Sequence, residues 1–308
     1  MTLDWLTDPF ALEVQRRALL EVVVSGGVGG ALGCYVIFRR LGFMTDALSH
    51  AVLPGVVVAF LLLGAGSILY GALAAGVAAA VVIGLITRER RVQEDAAIGI
   101  VLTGAFALGV VLISTIHSYA TALEDFLFGN VLLVTVQDLW LTVGLAAVVA
   151  AVLLLFHRRF VLRAFDPAMA DAMGLNGLLL DLLLLLLLAS TVVVALRAIG
   201  NVLVVAFLIT PAATARLLTD RVPPMLAISA ALGAASGVAG LVLAYQLNVS
   251  SGSLIVCLTT ALFLLVLVFE PRRGAIAALL RRRRDAVADA RPAAEAGPFH
   301  GHQMTDSD

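Results

Sequence analysis

Along the chain, apolar residues come in long runs and polar residues in short clusters between them. The runs fall at about 18–38, 46–63, 66–87, 96–116, 131–156, 178–199, 201–218, 225–246 and 252–269. Each approaches the roughly 20 residues that a helix needs to cross a hydrocarbon core. The pattern therefore predicts eight to nine spanning helices. Two runs leave the count open, because Pro54 interrupts 46–63 and Pro211 interrupts 201–218. Broken helices survive at membrane depth only where they pack inside protein or line a cavity. A soluble helical core is excluded, since a water-facing helix needs a polar face and several of these runs carry no charge. A membrane barrel is excluded too, because the runs lack a period of two.

Composition agrees with this reading. Of 308 residues, 61% are hydrophobic and 13% charged, against about 25% charged in an ordinary soluble domain. Positive charge then orients the chain. Arg88, Arg90 and Arg91 mark one cytoplasmic loop, and His157, Arg158, Arg159 and Arg163 mark a second. Arg272, Arg273 and Arg281 to Arg284 mark the C-terminal segment. The numbers of intervening spans put all three on one side, and leave Glu124 and Asp125 external. Nine full spans place Arg16 and Arg17 outside, against the rule, whereas eight would repair it. Asp4, Asp8 and Glu13 precede the first run, where a signal peptide would be basic. Residues 1–17 are thus expected to be an amphipathic lead-in, with Trp5 and Phe10 at the interface. A membrane domain is expected over 18–274, and a basic, then disordered, tail over 275–308. Glycines within the runs, as at Gly26, Gly27, Gly29, Gly30 and Gly33, suit close helix packing in lipid. Cys34 and Cys257 have no paired spacing and are expected to be small buried hydrophobes.

Few residues could carry chemistry. The sharpest pair is Asp46 and His50, four apart and so on one face of a helix. A carboxylate oxygen and an imidazole nitrogen suit manganese, zinc and ferrous iron. Ionisable groups within a span usually face a cavity and mark a pathway. Pro54 and Gly55 follow closely and can loosen the helix. The competing reading has Asp46 as a helix N-cap and His50 as a buried hydrogen-bonding side chain. Glu21 could lie on a pathway or snorkel to the interface, Asp181 is expected to start a helix, and His117 to lie in a solvated loop. His300 and His302 could bind metal weakly in the tail. Asp166, Pro167 and Gly174 predict a short capped helix at 166–174 in the loop 157–177. Such a helix could dock a soluble partner or lie on lipid headgroups. No G-x-x-x-x-G-K-[ST] phosphate loop occurs, so ATP hydrolysis is expected elsewhere and the chain is not read as an enzyme.

At these residues the sequence resembles the manganese/zinc/iron permease family of ABC importers. The resemblance rests on Phe38-Arg39-Arg40 and on Asp46 to Gly55, reading D-A-L-S-H-A-V-L-P-G. It also rests on Phe165-Asp166-Pro167 with Gly174-Leu175, on Ala195 to Gly200, and on Thr210 to Asp220. It covers about residues 16 to 270. It implies an all-α polytopic protein with the metal-type ABC importer permease fold, in the bacterial inner membrane. It implies a cytoplasmic ATPase dimer, a second permease copy or close relative, and an extracytoplasmic metal-binding protein as partners, and no nucleic acid. It places Asp46 and His50 on the ion pathway. It places Phe165, Asp166, Pro167, Ala170 and Gly174 on the segment that couples to the ATPase. The ion is cargo, with no stably bound cofactor. The residues Phe43-Met44-Thr45 depart from what the family often carries, which leaves the metal open. The alternatives are a permease for a metal chelate and a proton-coupled carrier.

Overall fold

The computed structural model describes residues 13–88, 92–114, 132 and 134–269, and among them there is no strand. Eleven α-helices follow one another: α1 Glu13–Phe38, α2 Gly42–Ala51, α3 Leu53–Leu63, α4 Ile68–Arg88, α5 Glu94–Ser114, α6 Val136–Phe165, α7 Pro167–Ala172, α8 Gly177–Ile199, α9 Asn201–Leu218, α10 Val222–Leu247 and α11 Ser251–Phe269. Taking α2 and α3 as one broken segment, nine are long and apolar enough to cross a bilayer among the described residues. Residues Met1–Phe263 form one unit and Leu264–Asp308 a second, of which the end of α11 is described.

Helix α1 occupies the centre of the first unit, packing along α10, α9 and α6. Its glycines make this possible. A Cβ on Gly26 would stand 2.6 Å from the Gly233 carbonyl oxygen of α10, and one on Gly33 only 1.7 Å from that of Leu208 on α9. Without lipid-to-protein hydrophobic gain, such backbone approach is what holds membrane helices together. The same device joins α3 to α4, where Gly55 and Gly71 face each other.

The two proline-containing runs behave differently. In the first, the helix breaks at Val52, which closes α2, and Pro54 lies in the first turn of α3. In the second, Pro211 lies inside an unbroken α9. Proline leaves the carbonyl four residues earlier without its helical donor. That carbonyl, of Phe207, lies against Gly29 of α1, so the irregularity is buried in protein.

Several expectations need correction. The sixth α-helix extends to Phe165, nine residues past the expected end, so His157 is helical and its Nδ1 stands 2.7 Å from the Tyr35 hydroxyl. The first helix already runs from Glu13. Cys34 is buried as expected, but Cys257 is exposed on α11. Residues Trp5, Phe10, His117, Glu124, Asp125, His300 and His302 lie outside the described residues.

Candidate functional site

Helix α2 buries Met44, Thr45, Ala47, Leu48, Ser49 and Ala51. The remaining face carries Phe43, Asp46 and His50, at offsets of three and seven that align on a helix. His50 Nε2 lies 3.7 Å from Asp46 Oδ1, and the two side chains are 38% and 44% exposed. The N-cap reading of Asp46 fails: Leu41 precedes the first turn, and Asp46 is the helix's fifth residue. Its backbone carbonyl accepts from the Ser49 hydroxyl at 2.7 Å. Phe106 of α5 sets its ring perpendicular to the His50 imidazole, with centroids 5.9 Å apart. From the turn at Gly200, whose φ of 80° ends α8, Asn201 brings its Nδ2 to 3.4 Å from His50 Nε2. The pair is thus held by α2, α5 and α9 and is open on one side.

A second polar cluster gathers at the other end of α8. Asp181 is not a helix-start residue. Asn176 caps α8 by accepting from the Leu179 N–H, and Asp181 sits in the following turn. Its carboxylate accepts from Arg39 at 2.5 Å and from Arg163 at 3.0 Å. Arg163 also reaches Asp171 of α7 at 3.1 Å. The guanidinium of Arg163 lies so close over Gly177 that a Cβ there would be 2.4 Å from it. These residues, with Phe38, Arg40, Thr87 and Glu94, line a cavity of about 1020 Å³. Residues flanking two of the loops that positive charge placed on one side, those after α4 and after α6, therefore meet around one space together with Arg39 and Arg40.

The residues 166–174 fold as a cap and one short helix. Asp166 accepts from the Met169 N–H, Pro167 begins α7, and Gly174 has a φ of 74° after its end. Ala170 is fully buried while Phe165, Met169 and Met173 are exposed. Phe165 stacks obliquely on Phe38 of α1, with centroids 5.2 Å apart.

Glu21 does not snorkel. It is fully buried on α1, and its Oε1 accepts from Ser25 at 2.9 Å and from Thr142 of α6 at 3.0 Å. Nearby, Asp138 completes a capping box with Thr135 and pairs with Arg197 of α8 at 2.9 Å.

A match to the description of the ABC 3 transport family spans residues 11–270. The chain belongs to the ABC 3 transport family. It is 44% identical, over 87% of its length and 91% of the relative's, to the manganese transport system membrane protein MntC of Halalkalibacterium halodurans. It is 42% identical to the manganese import system permease protein ScaB of Streptococcus gordonii, over 84% of this chain and 92% of that one. Among solved structures, PsaBC from Streptococcus pneumoniae in complex with Fab matches with a TM-score of 0.77 and 35% identity, covering 92% of this chain and 100% of that one. This ABC 3 member is a multi-pass protein of the bacterial plasma membrane. The family match covers every described span.

Sequence reasoning used Arg163 only as a marker of sidedness and Arg39 only as part of the family resemblance, and missed that Asp181 binds both. It also passed over Asn201, although a polar residue directly after a glycine at the head of an apolar run marks a helix start inside a membrane domain.

Proposed function

We propose that this chain is the membrane-spanning permease of an ATP-driven importer of divalent transition-metal ions, manganese foremost, and that Asp46 and His50 contact the ion in transit. The observation that carries this reading is the approach of their ligand atoms to 3.7 Å on the open face of α2. A carboxylate oxygen and an imidazole nitrogen form a mixed donor set suited to manganese, iron and zinc alike. Two ligands hold an ion weakly, and conduction requires a site that can also release it. The partial exposure of both side chains leaves room for a second permease subunit to bring its own pair to a shared axis. The relatives at 44% and 42% identity are named for manganese transport, which favours that metal, while others at 36% and 35% are named for iron.

Coupling follows from the helices that join the two clusters. ATP binding in a cytoplasmic ATPase dimer would move α7 through the exposed Phe165 and Met169, with Asp166, Pro167, Ala170 and Gly174 shaping the helix. Arg163 ties α7 to Asp181 at the base of α8. From Asp181 the helix runs to Ile199, about 27 Å at a rise of 1.5 Å per residue, and the Gly200 turn then delivers Asn201 to His50. A displacement at the base is thereby carried along one rigid rod to the ion pair.

The test is manganese uptake by proteoliposomes holding the permease, its ATPase and its binding protein. His50→Ala is expected to abolish ATP-dependent uptake while the complex still assembles. Uptake at the unchanged rate would remove Asp46 and His50 from the pathway. Parallel measurements with zinc and iron rank the cargo, and a preference for a chelate over the free ions would overturn the substrate class.

A further inference from the structure

The carboxamide of Asn201 meets the ion pair from outside α2. Its Nδ2 faces His50 Nε2 at 3.4 Å, while its Oδ1 is buried without a hydrogen-bond partner. The observed orientation is poorly satisfied on both counts. The contact is long for a hydrogen bond, and an orphaned buried acceptor costs about 1–3 kcal/mol. A half-turn of the amide exchanges two groups of nearly equal size. It places the carbonyl oxygen beside His50 Nε2, the same nitrogen that Asp46 Oδ1 approaches at 3.7 Å. The amide oxygen and the Asp46 carboxylate oxygen then both lie beside one imidazole nitrogen.

We propose that Asn201 is a third ligand of the transported cation, contributing its carbonyl oxygen beside Asp46 and His50. The inference rests on the pathway reading of that pair and adds a residue to it. An amide oxygen is neutral, so it strengthens the hold on a divalent ion without a second negative charge that would slow release. Two oxygens against one nitrogen also tilt the set toward the harder manganese and ferrous ions and away from zinc, which takes nitrogen and sulfur readily. The empty amide orientation and the ion-bound one differ by a single side-chain rotation. The backbone at the Gly200 turn need not move for the ligand to swing in.

The experiment uses the complete complex in proteoliposomes, with manganese and zinc as the probes. Asn201→Leu keeps the branched outline of the side chain and removes the ligand. It is expected to raise the manganese concentration for half-maximal uptake about tenfold, the lower end of what altering a group at a metal site costs, and to shift the preference toward zinc. Asn201→Asp keeps an oxygen but cannot donate to His50, and is expected to lower the manganese concentration for half-maximal uptake while slowing the maximal rate. This second variant decides the matter even where Asn201→Leu does not assemble. A raised half-saturation concentration in Asn201→Asp would show that Asn201 serves His50 as a donor, and would overturn the inference. Normal half-saturation in Asn201→Leu would overturn it too. If His50→Ala is inactive while Asn201→Leu is unchanged, the pathway reading stands without Asn201. If both are unchanged, both readings fall.

Discussion

Glu21 and Asp46 are both carboxylates within spans, yet their surroundings differ. Asp46 stands on an open face beside an imidazole, where an approaching cation can reach it. Glu21 has no exposed surface, and its Oε1 is taken by the Ser25 and Thr142 hydroxyls. Its Oε2 has no hydrogen-bond partner among the described residues. Glu21 is therefore an acceptor that joins α1 to α6. Glu21→Gln keeps that acceptor and is expected to leave uptake and assembly near normal. Glu21→Ala leaves two hydroxyls without their acceptor and is expected to destabilise the protein by about 1–3 kcal/mol, read as a lower midpoint of thermal unfolding in detergent. Loss of uptake in a well-assembled Glu21→Gln would instead put the carboxylate on the ion's route. Sequence alone could not separate the two acids, because burial depends on which helices surround α1.

At the scale of elements, the spans were legible because lipid demands continuous apolar length, and that requirement is local in sequence. The short helix at 166–174 was legible for a similar reason, since Asp166, Pro167 and Gly174 each act on their own backbone. The breaks were less so. Pro54 and Pro211 look alike in sequence, but only the first coincides with a helix end. The difference lies in the neighbour: Pro211 frees the Phe207 carbonyl beside the glycine face of α1, which packs against it and keeps the helix continuous. The glycine stripe itself was read as packing without knowing which positions mattered. The structure distinguishes them. Gly27 has open space where a Cβ would go, whereas at Gly33 the Leu208 carbonyl stands in the way. Gly33→Ala must push α1 from α9 and is expected to cost about 1–3 kcal/mol, as overpacking does in tight cores. Gly27→Ala is expected to be neutral. Thermal unfolding of the two variants side by side checks the pair, and equal stability would mean that α1 and α9 are not packed this closely.

For the whole molecule, an odd number of crossings has a consequence for sidedness. With nine spans among the described residues and the turns after α4 and α6 on the cytoplasmic side, α1 starts on the outer side, which leaves Arg16 and Arg17 there. Arg17 is ion-paired to Glu13 one turn earlier, so that charge is not left bare at the interface. The convergence of residues 38–41, 84–94 and 163–181 on one cavity is independent of the positive-charge argument and agrees with it. Positions in the turns alternate accordingly. Met173 and Arg221 should face the cytoplasm, and Gly66 and Ser250 the outside. All four are exposed, and a side chain at Gly66 meets open space. Single cysteines at these positions, in a background with Cys257→Ala and the buried Cys34 retained, can be labelled in intact cells with a thiol reagent that does not cross the membrane. Gly66→Cys and Ser250→Cys are expected to react, while Met173→Cys and Arg221→Cys react only after the membrane is opened. Labelling of Gly66→Cys and Met173→Cys from the same side would mean that an even number of crossings separates them. The ion pair on α2 and the Arg163 cluster would then no longer stand at opposite ends of the path that α8 connects.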